Sequence, residues 1–175
     1  MYAGAASAIR GFSIVLDAFA LLSDHDIKLK VLARGANKKR IREIEAEVFR
    51  RNIQAQVSIE GGLLEIEELK REIQRSTAVL LPFVLVPSEL PVTVMESIAC
   101  GTPVIVTNIN GLSEAAGDAG IVIPTGDSFH LASAIKDLYL QKDLTMNLRA
   151  ACTKQADQML SWHSVSDRWL KAIES

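Results

Sequence analysis

The sequence predicts an α/β domain of three layers, with helices on both sides of a mostly parallel, doubly wound sheet of about six strands. Three observations carry that reading. Residues 78–81 and 104–106 are short apolar runs without alternation, the pattern of strands buried on both faces. Between them, residues 91–100 have helical spacing and full punctuation. Ser88 or Glu89 serves as N-cap, Pro91 occupies the first turn, where a missing N–H costs nothing, and Gly101 with Pro103 beyond it ends the helix. Finally, strand-like and helix-like segments alternate along the chain before it closes on three helices, and 175 residues suffice for one domain with a sizeable core.

In chain order, residues 1–4 read as the end of a strand, with Gly4 as the turn residue before a crossover. Arg10-Gly11 then opens a helix over 12–22. Asp17 interrupts that helix's apolar run, which is shorter than the about 20 residues a membrane span needs. No basic leader or small-residue cleavage site accompanies it. Residues 27–33 form a second strand, and a charged helix follows Gly35 over 38–51. The third strand is expected at 54–59, ending in a glycine turn, Glu60-Gly61-Gly62-Leu63. At this carboxyl edge a base can lie against backbone and Leu63, or the segment is a plain strand-to-helix turn. A second charged helix over 65–74 leads into the unit at 78–106. Beyond it come a loop at 108–113, a short helix at 113–116 and a last strand at 121–123. Asp127 then caps a helix over 129–140, and helices follow at 144–159 and 162–173. In the last of these Trp162, Val165, Trp169, Leu170 and Ile173 recur at helical spacing, a stripe expected to pack rather than to meet a ligand, and to be exposed in part if a domain that it packs against is missing.

Composition narrows the function classes. The formal charge is −2 with no long basic block, which argues against a nucleic-acid partner. Lys38, Lys39, Arg40 and Arg42 read as a solvated helix face, with an anionic membrane surface as the alternative. Cys100 and Cys152 make neither a disulfide framework nor a metal pattern and fit a reducing, cytoplasmic compartment. His25, His130 and His163 are isolated, without metal-ligand spacing. Neither a Ser, His and Asp arrangement nor a Walker loop is present.

In a doubly wound sheet the ligand crevice lies outside the carboxyl ends of the strands, where a helix N-terminus offers N–H groups to an anion. The loop at 82–90 lies there, with Leu90 and Pro91 at the head of the helix. Glu96, one turn in, is a carboxylate suited to the hydroxyls of a ribose diol. Arg10 stands near a helix start, where its charge opposes the dipole by about 0.3 to 1 kcal/mol. That mild misplacement favours an anion nearby; an exposed helix-start arginine is the plainer alternative.

The run PSELPVTVMESIACGTPVIVTNINGLSEAAGDAGIVIPTGD resembles the donor-site signature of the retaining GT-B glycosyltransferases of family 4, group 1. The likeness extends to Ser161-Trp162 and covers almost the whole chain. It implies a Rossmann-like fold, one half of a GT-B fold: residues 1–175 as the nucleotide-sugar, donor-binding domain, with C-terminal helices from about 143 to 175. It also implies an N-terminal acceptor domain that is absent from this chain. The implied reaction moves a hexosyl group from a nucleoside diphosphate sugar to an acceptor with retention, with no cofactor and no metal. The implied partners are the donor and the missing domain, with peripheral contact at the inner membrane surface through a longer protein. The isolated domain is expected to be inactive, and no catalytic residue is assignable in it. Donor contacts carry over to Arg10, Gly61, Leu63, Ser88, Glu89, Leu90, Pro91 and Glu96. Two departures stand out. The family's first Glu falls on Ser88, with Glu89 one residue closer to Glu96, and Ala5 replaces the first of two charges near the diphosphate, while Arg10 matches the second. Ala5 and Ser88 favour the rival reading, a non-catalytic module that binds a nucleotide or nucleotide sugar.

Overall fold

The computed structural model describes residues 1–85, 92–109, 111–159 and 162–173. Among the described residues six short strands form: β1 (Tyr2–Gly4), β2 (Leu29–Arg34), β3 (Val57–Gly62), β4 (Val79–Leu81), β5 (Val104–Thr107) and β6 (Gly120–Ile123). They pair in parallel as two sets, β1-β2-β3 and β4-β5-β6, with Tyr2 opposite Val31, Leu29 opposite Val57, Val79 opposite Val104, and Val104 opposite Gly120. The sets meet at β1 and β4. There the Leu80 amide donates to the Met1 carbonyl at 2.8 Å and the Met1 amine donates to the Ala78 carbonyl at 2.7 Å. The spatial order is therefore β3-β2-β1-β4-β5-β6, and the winding reverses between β1 and β4.

Eight α-helices among the described residues accompany these strands: α1 (Phe12–Ala20), α2 (Lys38–Arg50), α3 (Ile66–Arg75), α4 (Val92–Ala99), α5 (Leu112–Ala116), α6 (Ser128–Leu140), α7 (Lys142–Ala156) and α8 (Trp162–Ile173). The period of two along each strand sorts side chains onto two faces. Tyr2, Val31, Leu80 and Ile105 join Phe12, Leu16, Ile44 and Leu131 in one core beneath α1, α2 and α6. Ala3, Leu32, Val79, Leu81 and Val106 join Ile73, Val94, Ile98 and Leu112 in the other, beneath α3, α4 and α5. Each large apolar side chain so buried contributes roughly 1.5–3 kcal/mol. Cys152 of α7 belongs to the second core, where burial pushes its thiol up to about 11 and keeps it an inert packing group.

Two of the expected caps form, while the one expected at Ser88 or Glu89 lies outside the described residues. Asp127 accepts from the His130 amide at 2.9 Å at the head of α6, and Gly101 ends α4 at φ 72°. The helix expected from Phe12 starts there, while three other expectations need correction. Residues 8–10 form a separate 3-10 turn, because Gly11, at φ 68°, breaks the helix where the Pro82 peptide crosses. Gly4 is the last residue of β1 rather than a turn beyond it. The third strand starts at Val57, since residues 53–56 turn inward and bury Ile53 and Gln56. Gly61 and Gly62 then supply its last two rungs, opposite Ala33 and Arg34, so the glycines belong to the strand. In α8, Trp169, Leu170 and Ile173 are exposed, the alternative expected for this stripe, and no described element covers them. Among the described residues no helix is long and apolar enough to cross a membrane.

Candidate functional site

The loops after β1 and β4 meet where the winding reverses, and several contacts fix their shape. The buried Tyr2 hydroxyl donates to the Ala5 carbonyl at 2.7 Å, and burial raises its pKa, so it stays a neutral donor. The amides of Val84 and Leu85 donate to the Ile9 carbonyl at 2.9 and 3.1 Å, stitching the loop after β4 to the 3-10 turn. From the end of β5 the buried Thr107 hydroxyl donates to the Phe83 carbonyl at 2.7 Å. At Gly11 a Cβ would stand 1.9 Å from the Pro82 carbonyl oxygen, so only glycine lets the loops close this far.

Arg10 is presented by this arrangement. Its guanidinium lies 5.3 Å from the centroid of the buried Phe83 ring, a cation–π contact that holds the group at the carboxyl edge. Gly4 leaves room for it, since a Cβ there would stand 3.1 Å from Arg10 Nη1. No carboxylate among the described residues pairs with Arg10.

Glu96 sits one turn into α4, between the buried Ser97 and the half-buried Met95. Val94 and Ile98 anchor the helix in the core, and the Ser97 hydroxyl turns back to the Thr93 carbonyl at 2.6 Å. The Oε2 atom of Glu96 is shielded from solvent and accepts no hydrogen bond from the described residues. Leaving a buried acceptor unmatched costs about 1–3 kcal/mol, and more when it is charged. A hydroxyl or amide donor arriving from outside would relieve that cost.

The remaining expected contacts are spread unevenly. Gly61 is covered by α2, because a Cβ there would stand 2.7 Å from Ile41 Cδ1; this glycine serves helix-on-strand packing. Gly62, at φ 102°, has open space around it, and Leu63 is 79% exposed. Both lie at the end of β3, two strands from β1 and so roughly 10 Å away along the sheet. Ser88, Glu89, Leu90 and Pro91 lie outside the described residues. Glu114 is exposed on α5, while Ser113 donates to Asn108 Oδ1 at 3.1 Å in the loop before it. Among the described residues no group of three His, Cys, Asp or Glu side chains converges as metal ligands.

Sequence reading overlooked Tyr2, Phe83 and Thr107. Tyr2 looks like a core aromatic and Phe83 a loop apolar residue; only Thr107, a hydroxyl closing an apolar strand, carries a visible sign. A cleft of about 780 Å³ opens at the opposite, amino edge of the sheet, beside Met1, Lys30, Glu72 and Arg149. Several of its charges are matched within the chain: Lys30 meets Glu72 at 2.7 Å and Glu60 at 3.1 Å, and Arg149 donates to the carbonyls of Ser76 and Gly101. Size alone would favour this cleft, whereas unmatched polar groups favour the carboxyl edge, and polar matching is the better guide to ligand chemistry.

Known proteins agree with the architecture. The chain is 24% identical over 178 residues to a D-inositol 3-phosphate glycosyltransferase of Jonesia denitrificans, covering 95% of this chain and 41% of that protein. It is equally similar over 170 residues to a phosphatidyl-myo-inositol mannosyltransferase of Mycobacterium leprae, covering 95% and 43%. It thus spans less than half the length of these curated relatives. Among solved structures, sucrose-phosphate synthase of Thermosynechococcus elongatus superposes with a TM-score of 0.86 at 20% identity, over 99% of this chain and 44% of the other. Anabaena HepE in complex with UDP superposes at 0.82 and 17% identity, over 99% and 48%. These likenesses establish a Rossmann-like half of the GT-B fold. The family described as glycosyl transferases group 1 is matched over residues 1–141, and the chain therefore belongs to the group 1 glycosyltransferases.

Proposed function

We propose that this chain is the donor-binding domain of a glycosyltransferase that moves a hexosyl group from a nucleoside diphosphate sugar to an acceptor with retention at the anomeric carbon. The observation that carries the proposal is the shielded, unmatched Oε2 of Glu96, in the helix that follows the Arg10-docked loop. A ribose diol supplies the donors that oxygen lacks. Arg10 supplies positive charge to the diphosphate, and the open backbone at Gly62 with Leu63 gives the base an apolar surface. Gly61 contributes by letting α2 settle against the strand. Ser88, Glu89, Leu90 and Pro91 are assigned to the sugar and diphosphate end of the donor. The bound UDP of HepE, and UDP-glucose in a second HepE structure, support a donor of this class.

Cleavage of the glycosidic bond places negative charge on the leaving diphosphate as the sugar gains oxocarbenium character. Arg10 and the amides at the head of α4 meet that charge, which is the part of catalysis this domain supplies; the proposal calls on no metal. Acceptor binding and the near-attack geometry, worth about 7 to 11 kcal/mol, belong to a second domain. The proposal therefore has the 175-residue chain bind the donor without turning it over, in the cytoplasm, with any contact at the inner membrane surface made by a longer protein.

Calorimetric titration with UDP, GDP and ADP tests this reading. One of them binds, and Glu96→Ala weakens it by roughly 1.5–3 kcal/mol, the worth of hydrogen bonds to a charged group. Unchanged affinity in Glu96→Ala removes the ribose role, and sugar transfer by the chain alone removes the division of labour.

A further inference from the structure

The loop that carries Arg10 is also held from the side, by a residue that reads as surface charge. Arg40 stands in the cationic run Lys38, Lys39, Arg40 and Arg42 at the start of α2. It does not simply project into solvent. Its Nη2 donates to the Ala6 carbonyl at 2.5 Å, across 34 residues of sequence. Its Nη1 meets Glu43 Oε2 at 3.0 Å and Glu47 Oε1 at 3.6 Å on its own helix, and its amide is fixed by the Asn37 cap at 2.9 Å. Ala6 lies between two other restrained peptides. The Ala5 carbonyl takes the Tyr2 hydroxyl, and the Ser7 carbonyl accepts the amides of both Arg10 and Phe12 at 3.2 Å. Three consecutive carbonyls are thus held, the middle one by Arg40 and the last one by the Arg10 backbone itself.

Docking of α2 does not need this contact, because Ile44 and Val48 already bury the helix in the core. Nor is Arg40 available as a phosphate ligand, since two carboxylates oppose its charge. We propose that Arg40 is a positioning residue for Arg10: it clamps the Ala6 peptide so that the 3-10 turn presents Arg10 at a fixed place on the carboxyl edge. The inference rests on the reading of Arg10 as the diphosphate contact. The guanidinium fork suits the task because it reaches a carbonyl and two carboxylates at once, which an ammonium on the same stem does not.

Four proteins test it: the parent, Arg40→Ala, Arg10→Ala and the double variant. Each is titrated with the nucleoside diphosphate that binds the parent and with the matching uncharged nucleoside, and each is melted thermally. Arg40→Ala is expected to weaken the diphosphate by roughly threefold to thirtyfold, within the range of coupling in one hydrogen-bond network, and to leave the nucleoside unchanged. In the Arg10→Ala background the same change is expected to have no further effect. Arg40→Lys, which keeps charge and stem, falls between parent and alanine and replaces Arg40→Ala in the comparison if that variant does not fold. Failure of the parent to bind any diphosphate, or diphosphate affinity untouched by Arg10→Ala, overturns the underlying reading and the clamp with it. Loss in Arg10→Ala with none in Arg40→Ala overturns the clamp alone. So does additive loss in the double variant, or equal loss for the nucleoside.

Discussion

The two edges of the sheet use charge in opposite ways. At the amino edge Lys30 lies between Glu60 and Glu72, Lys28 meets Asp26 at 3.0 Å, and Arg149 spends its guanidinium on two carbonyls. The wide cleft there is lined in part by groups that already satisfy one another. At the carboxyl edge the cavity is less obvious, yet Arg10 has an aromatic ring but no described carboxylate, and Glu96 has a shielded oxygen without a donor. Internal matching is what a stable fold requires of its own polar groups. Mismatch held in place by other contacts marks where a ligand completes the structure, so the carboxyl edge is the better candidate.

The comparison can be broken from either side. The largest expected effect is at the amino edge, where burial lowers the Met1 amine from 8.0 to about 5. When Met1 carries a free amine, the folded state holds it neutral at neutral pH. Above pH 8 both states are neutral and no cost arises; from pH 8 to pH 5 the unfolded chain takes up a proton that the folded chain does not. Stability then falls by roughly 4 kcal/mol across that window, at about 1.36 kcal/mol per unit, and stays low below it. Denaturant titration of the free and N-acetylated chains at pH 8 and pH 5 checks this: only the free amine should show that loss.

Gly11→Ala comes next. The new Cβ would face the Pro82 carbonyl at 1.9 Å from a left-handed backbone, and a loss of about 3 kcal/mol in unfolding free energy is expected. A change below about 0.5 kcal/mol in denaturant titration would mean that the two loops are not pinned there. Arg10→Ala is a smaller change, with little effect on stability. It should weaken nucleoside diphosphate by about 1 kcal/mol or more, with the difference from parent shrinking as salt rises, since partly exposed charges are screened. Titration at low and high salt reads this out, and a salt-independent loss would contradict a phosphate role. The smallest effect is expected for Lys30→Met. Its pairs are partly exposed and their stabilisation is about 1 kcal/mol or less, with nucleotide affinity unchanged in calorimetry.

Much of this architecture was legible in the sequence, because apolar runs, caps and glycine stops act over a few residues. The strands at 79–81 and 104–107, the cap at Asp127 and the stop at Gly101 all follow from such local signals. The late start of β3 was not, since it depends on Gln56 donating to the Leu22 carbonyl at 3.0 Å across 34 residues. The site divides in the same way. Arg10 and Glu96 stood out by position and charge, whereas the Phe83 ring under Arg10, the Thr107 hydroxyl behind that loop and the Arg40 fork beside it exist only once distant segments meet. Gly61 shows the converse: its sequence setting invites a ligand, and the fold uses it for Ile41.

Backbone amide resonances followed by NMR during titration with UDP, GDP and ADP test the contrast between the edges most directly. The account predicts saturable shifts in residues 5–11, at Phe83 and Val84 and in the first turns of α4 around Glu96. Residues 28–30 and 76–78 at the amino-edge cleft should remain still. Shifts confined to that cleft, or no shifts with any of the three nucleotides, would contradict the account.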